Sequence, residues 1–484
     1  MKAILYLFFT LSLLFNLRLL SKKTIEIKSD QVPYALSNLH INQNTYAFMD
    51  PTIKSIRQLR VTQGYGDPTY KNFRPFANYR IYGFSGYVMS TITRQTIADE
   101  AIGLFLYPAP YVADNNGKDI NAHAKTLIGG AEALIGFFFN PFQGYFQNIY
   151  SIIEFSFTGT NTFNDYCATM RNFFGEIIWT RGSFLFGQYY HPLFLKECFP
   201  RTVNGNQGAP FETNCLAPQI RVTHLFRPVE VTFTMLSQSY LASWGLPQDF
   251  VIFGIDISNF DDSNIFIRNA IVPNMNINVK YLVGKSYYGF SFDYLRLFPT
   301  LSSSKNFKSN EYVNSISGEI FAHNVFSKGE INIKAIYSQN GSNQLMISGF
   351  AVRSVNPITA VNSYIPTACV AVWLDCFYLF KRRDIEIGLF TGWTKNLGAL
   401  SRVYIDPETN QPIVYSEENN ISANLDHAAR LSIRFVYAKE SFRCGLELEY
   451  DKADFGLTLN SYAQPINITP VNAFSYIFSI DYVY

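Results

Sequence analysis

The sequence predicts an all-β protein, a transmembrane antiparallel β-barrel of about sixteen strands. Three observations predict it. The C-terminal run Phe474–Tyr484 alternates with period two: Phe474, Tyr476, Phe478, Ile480, Tyr482 and Tyr484 share one face, and Ser475, Ile477, Ser479, Asp481 and Val483 the other. Such a strand separates two different solvents, and an aromatic face reaching the chain terminus fits a strand that meets lipid and closes a barrel. The chain is 48% hydrophobic and 17% aromatic but only 16% charged, against about 25% charged in a typical globular domain. Finally, strand-like segments of roughly ten residues follow one another from Tyr79 to the end, while no apolar run of about 18 residues exists past the N-terminus.

The chain opens with Lys2 and a short apolar core up to Phe15, interrupted by Asn16, Arg18, Lys22 and Lys23. Residues 1–20 therefore read as a secretory signal peptide, although no A-x-A-like triplet marks cleavage and an uncleaved anchor is the alternative. Residues 21–78 are polar and mixed, without strand alternation. They read as a periplasmic extension or linker, too short for the plug of an energy-coupled transporter. The barrel is expected over 79–484.

Candidate strands are Tyr79–Thr91, Lys125–Phe139, Gly144–Gly159, Met170–Thr180, Gly182–Tyr190, Gln219–Arg227, Val229–Gln238 and Asn274–Val283. They continue with Ser286–Phe298, Tyr312–Phe326, Gly329–Gln339, Thr367–Leu379, Asp384–Trp393, Arg430–Ala438, Ser441–Asp451 and Asn472–Tyr484. Weak segments near 250–257 and 345–353 compete for inclusion. Connections alternate between short turns (Arg227-Pro228, Lys439-Glu440) and long polar loops (191–217, 300–311, 394–424, 452–471), as in outer-membrane barrels.

Alternation also assigns faces. Asn274, Asn276, Asn278 and Lys280 oppose Met275, Ile277, Val279 and Tyr281; Arg430, Ser432 and Arg434 oppose Leu431, Ile433 and Phe435. Arg443, Glu447, Glu449 and Asp451 oppose Leu446, Leu448 and Tyr450; Glu154, Ser156 and Thr158 oppose Ile153, Phe155 and Phe157. Gln219, Arg221, Thr223 and Arg227 oppose Ile220, Val222 and Phe226. A charge facing lipid costs about 2–4 kcal/mol at the midplane, so the polar sets face inward. They either salt-bridge and fill the barrel or line a wet lumen that sorts solutes. A barrel of about sixteen strands is too wide for side chains alone to fill, which favours the pore.

A net charge of +2 is too small to point to nucleic acid. Six cysteines (Cys167, Cys198, Cys215, Cys369, Cys376, Cys444) show no C-x-x-C or His-rich metal spacing, and no metal or cofactor is implied. Cys198 with Cys215 and Cys369 with Cys376 are possible bridges, free thiols the alternative. The six histidines form no recognisable catalytic motif and G-x-S-x-G is absent; the pair Asp426-His427 falls in or near a loop. A non-enzymatic barrel is the reading, with a plugged structural or adhesion barrel as its rival.

Several runs resemble a known family. Tyr82-Gly83-Phe84, Thr93-Arg94-Gln95, Gly103–Pro110 and Asp114–Asn121 look like the first strand and loop of DcaP-like porins, the last run close to one seen in Bacteroidetes relatives. Gly187–Phe194 is similar to the family's GQ-W-HP-F segment, Phe199-Pro200 and Gly208–Phe211 follow in order, and Pro218-Gln219-Ile220-Arg221 matches its PQIR strand start. Together these span roughly 79–227. The resemblance implies a trimeric porin of the bacterial outer membrane, embedded in its lipid, with sixteen strands and a constriction loop in the pore passing small hydrophilic solutes. Segment 191–217 is then the constriction loop, bringing His191, Lys196, Glu197 and Arg201 to the pore. Arg94, Arg171, Arg201 and Arg221 line it for small organic anions, alongside the inward-facing Glu154 and Gln219. Two departures stand out: Leu216-Ala217 replace an arginine before PQIR, and Tyr189 replaces the usual tryptophan. The first of these bears on anion selectivity.

Overall fold

The computed structural model describes residues 79–483 apart from 100–103, 129–131, 143–147, 159–167, 180, 238–250, 253–254, 257–264, 381–383, 417–420 and 440. The expected signal peptide (1–20) and extension (21–78), Cys167 and Tyr484 lie outside the described residues.

Sixteen strands form one closed ring. They are β1 (Tyr79–Ile92), β2 (Glu132–Phe142), β3 (Asn148–Thr158), β4 (Ala168–Trp179), β5 (Gly182–Tyr190), β6 (Leu216–Phe226), β7 (Val229–Leu236) and β8 (Asn274–Val283). Then come β9 (Ser286–Leu297), β10 (Val313–Phe326), β11 (Gly329–Gln339), β12 (Asn362–Phe380), β13 (Ile385–Ala399), β14 (Leu425–Lys439), β15 (Phe442–Leu459) and β16 (Pro465–Val483). Each pairs antiparallel with its neighbour in sequence. β16 returns to β1, with Val483 opposite Phe84 and Ser475 opposite Ile92. Closure leaves the ring no unpaired edge, the condition for a sheet to cross lipid. Among the described residues no helix is long and apolar enough to cross a membrane.

The outside is apolar. On β16 the outward Phe474, Tyr476 and Tyr482 are 51%, 55% and 54% exposed, while the inward Ser475, Ile477, Ser479 and Asp481 are buried. The same inversion holds for the inward sets on β3, β8, β14 and β15 read from the sequence; the Thr158 side chain lies outside the described residues. Arg227 departs from its set. It sits in the β6–β7 turn, exposed, because the strand ends at Phe226 and alternation loses its meaning there. Leu446 faces outward on β15 between Phe435 and Phe478 of the adjoining strands. Leu446→Arg should therefore lower folding stability by about 2–4 kcal/mol, read by denaturant titration in lipid vesicles.

Three boundaries move. The expected strand over Lys125–Phe139 splits into Lys125–Ile128, paired with the end of β1, and β2, paired with its beginning. The expected loop 452–471 is mostly strand: β15 runs to Leu459, β16 starts at Pro465, and only 460–464 connects them. There the Asn460 side chain accepts hydrogen bonds from the backbone N–H of Tyr462 (2.8 Å) and Gln464 (3.0 Å). Likewise β13 continues to Ala399, into the expected loop 394–424. At 19 residues, β12 and β16 are far longer than a membrane requires. Beyond the lipid both faces are wet, so nothing enforces alternation and the sequence signal lapses. The two weak segments stay out of the ring. Val251–Ile252 pairs with Ile255–Asp256, and Phe350–Val355 pairs with the start of β12 and with Val414–Tyr415.

Cys198, Cys369, Cys376 and Cys444 are free thiols. The Cys369–Cys376 pairing fails on geometry, since seven residues along one strand place them on opposite faces: Cys369 is buried inside and Cys376 faces outward. Cys198 and Cys215 are both buried in the inward segment, where the Cys198 thiol approaches the Ala322 carbonyl (3.7 Å) and the Cys215 thiol that of Leu216 (3.4 Å).

Candidate pore constriction

Segment 191–215 connects β5 to β6 and folds into the barrel rather than away from it. Its base is closed by the His191 N–H donating to the Cys215 carbonyl (2.9 Å). Its tip reverses at Gln207-Gly208, both with positive φ, where a Cβ on Gly208 would come within 2.4 Å of Pro200. A turn folded that tightly on itself needs glycine.

Opposite the segment's origin, the β15 carboxylate of Glu447 accepts hydrogen bonds from the backbone N–H of Val203 (2.5 Å) and Asn204 (2.9 Å) and from the Ser432 hydroxyl (2.5 Å). Arg201 pairs with Glu386 (3.3 Å) and lies 4.0 Å over the Phe377 ring. Arg430 donates to the Ala209 carbonyl (3.1 Å) and to Asp451 (2.6 Å). On β11, Lys334 donates to the Leu193 carbonyl (2.7 Å) and to Glu212 (2.8 Å). Small inward residues make room: Phe211 sits over Gly392 and Val203 over Gly445.

Two further segments turn inward. Phe105–Ala109 is buried, and the Leu106 carbonyl accepts from Arg430 (2.8 Å). In the β11–β12 connection, Met346 and Ile347 are buried, and the Gln344 carbonyl accepts from the Asn214 N–H (3.1 Å). Leu106, Tyr107, Leu195, Phe211, Met346 and Trp373 belong to one buried apolar cluster inside the barrel.

The inner wall falls into three sectors. Over β1–β5 it is aromatic, with Phe138, Tyr150, Phe174, Tyr189 and Tyr190 in successive ring contact, continued by Phe194 and Phe199 of the inward segment. Two carboxylates, Glu154 and Glu176, and two arginines, Arg171 and Arg221, stand in or beside this sector. Over β7–β11 it carries amides and hydroxyls. Here the described ionisable groups are Glu230, Asp293, Glu319 and Glu330 against Lys280 and Lys334, with His191 and His323 beside them. Over β12–β16 it is ionic: Asp375, Glu386, Glu447, Glu449, Asp451 and Asp481 against Arg430, Arg434 and Arg443.

The sequence-predicted residues divide between these places. Glu154, Arg171, Gln219 and Arg221 gather around Tyr189–Tyr190. Arg221 donates to the Tyr190 carbonyl (3.0 Å) and to Gln219 (2.8 Å), with its guanidinium 5.2 Å from the Tyr189 ring. Glu154 accepts from Tyr82 (2.6 Å) and from Asn172. Arg171 joins them through a bulge. Met170 lies opposite Phe155 and Phe173 opposite Ile153, so Arg171 and Asn172 together face Glu154, and Arg171 is within electrostatic reach of Tyr190. Lys196 and Glu197 form a half-buried turn of the inward segment, and Glu197 is within electrostatic reach of Tyr189 and Arg221.

His191 and Arg201 are tethers instead. His191 is buried against Asn274 (3.1 Å) and Asp293 (3.7 Å), its imidazole pushed below its ordinary pKa, first by burial. Arg94 stands apart, holding the 93–124 connection through the Ala109 carbonyl (2.8 Å) and Asp119 (2.6 Å). Burial alone would raise the Asp119 carboxyl, but the Arg94 contact and backbone N–H bonds hold it below its usual value. Asp426 and His427 lie at the start of β14 in an ion-pair group with Lys395 and Asp454 on the outer wall.

The sequence did not single out Lys334, Glu212, Glu386 or Asp375. In-phase positions on alternating strands were the available signal for Lys334, Glu386 and Asp375, whereas Glu212 lies on the inward segment, where parity gives none. The inward turn at Phe105–Ala109 carried none.

No family model and no curated protein matches the sequence. Solved structures do. The outer membrane channel DcaP of Acinetobacter baumannii superposes with a TM-score of 0.57 at 13% identity, covering 86% of this chain and 99% of that one. An anion-selective porin from Comamonas acidovorans gives 0.45 at 7% identity over 84% and 99%, and OmpF of Salmonella typhi gives 0.45 at 10% over 84% and 98%. The sixteen-strand closure and the first of these superpositions agree with the motif resemblance on one point: the chain has a DcaP-like porin fold.

Proposed function

We propose that this chain is a porin of the bacterial outer membrane. On this reading residues 1–20 direct export, 21–78 form a periplasmic extension, and the barrel works as a homotrimer in outer-membrane lipid. It passes small hydrophilic solutes and ions by passive diffusion along a lumen constricted by 191–215. The observation that supports this best is the inverted barrel, apolar outside and ionisable inside, with a long connection tethered across its interior. Such a device needs no reacting group, because lumen charges sort solutes by sign and size. The constriction is assigned to Glu154, Arg171, Gln219 and Arg221 around Tyr189–Tyr190, and to Lys196 and Glu197, with His191 and Arg201 positioning the loop. The anion preference that the resemblance implies would rest on Arg171 and Arg221, since Arg94 and Arg201 are engaged elsewhere.

The buried cluster around Leu106, Phe211 and Met346 favours a second reading, a barrel with a plugged lumen and a structural or adhesive role. Planar-bilayer recording of the purified, folded protein separates them. Discrete conductance steps are expected of the porin, and a folded barrel without steps supports the plug.

A further inference from the structure

We infer that, against the anion preference the resemblance implies, the lumen prefers cations, and that amine-bearing solutes are its favoured charged cargo; this rests on the porin reading. Among the described residues the aromatic sector is balanced in charge, and the other two each carry two carboxylates per cation. The excess is built into the contacts rather than scattered. Lys334 is divided between Glu212 (2.8 Å) and Glu319 (3.3 Å). Arg430 is divided between Asp451 (2.6 Å) and Glu449 (3.4 Å). Arg434 is divided between Asp375 (2.6 Å) and Glu386 (3.1 Å), and Arg201 supplies Glu386 with a second partner. Lys280 pairs with Glu230 at 3.4 Å and Arg443 with Asp481 at 3.0 Å. These lumen cations are thus neutralised where they stand, and what remains over is negative. An anion passing this wall meets cations already paired with carboxylates, whereas a cation meets surplus carboxylate.

A second observation locates a contact. On β7–β8, Glu230 and Asn278 are diagonal neighbours, two residue pairs apart in register. Both are almost fully buried, yet Glu230 Oε2 and both polar atoms of the Asn278 amide have no hydrogen-bond partner, and neither does the neighbouring Thr234 hydroxyl. A carboxylate oxygen and, diagonally across the strand pair, an amide oxygen on the same face of the inner wall are acceptors of the kind a primary ammonium group uses.

Reversal potentials in a KCl gradient across planar bilayers test this, with the full-length protein. The expected result is PK/PCl above 1, and faster liposome swelling in free arginine than in free glutamate. Glu230→Gln should lower PK/PCl by up to about fivefold, the effect of one unit charge at about 4 Å in water. Conductance with PK/PCl at or below 1 in the unaltered protein overturns the inference and leaves the porin reading standing. A folded barrel with no conductance overturns the porin reading, and the inference with it.

Discussion

Glu447→Ala enlarges the channel. Its carboxylate is the acceptor for two consecutive backbone N–H groups at the tip of the inward segment, 2.5 and 2.9 Å away, and for the Ser432 hydroxyl at 2.5 Å. Each hydrogen bond to a charged group contributes about 1.5–3 kcal/mol, and the N–H groups left behind carry a desolvation cost. Alanine removes all three bonds and leaves the tip attached to its wall by Arg201 and Arg430. The expected consequence is a larger single-channel conductance and passage of bulkier uncharged sugars in liposome swelling. Glu447→Gln, which keeps one acceptor oxygen, should fall between the two. Conductance unchanged in a folded Glu447→Ala barrel would show that the segment does not limit passage.

Lys334→Ala destabilises the barrel more than any single change on its outer face. Lys334 is fully buried and holds together the Leu193 carbonyl and two carboxylates, Glu212 from the segment and Glu319 from β10. Removing one partner of a buried ionic group costs about 3–5 kcal/mol, because the remaining charges stay desolvated and unmatched. Here two like charges are left facing each other. The transition in heat-modifiable gel mobility should shift to lower temperature. Adding Glu319→Gln should recover part of the loss, as expected of coupled neighbours. If the losses simply add, the triad is not the unit described here.

Strand after strand, the barrel was readable from local pattern. The sixteen predicted segments each correspond to a ring strand, because lipid on one side and polar surroundings on the other force period-two alternation. Face assignment followed for the same reason: Asn274, Asn276 and Asn278, or Glu447, Glu449 and Asp451, have parity alone to thank for pointing inward. Where that constraint ends, so did legibility. The continuation of β15 to Leu459, the start of β16 at Pro465 and the turn position of Arg227 lie where both faces are wet.

The candidate site was legible in membership but not in arrangement. That Arg201 and His191 act as tethers depends on Glu386 and Asp293, on strands far along the chain. The bond from Val203 to Glu447 spans 244 residues. Arg171 points inward because of a bulge that parity cannot foresee.

The alternation from Phe474 to Val483 thus marked, by itself, a strand with one lipid-facing side, and its companions determined the barrel and its two faces. Both are consequences of solvent acting on each residue separately. Tertiary structure alone decided the rest: where 191–215 comes to lie, which lumen charges cancel, and that carboxylates remain in excess. Those depend on distances between residues that meet only once the ring has closed, and ion pairing falls off with distance in space rather than along the chain.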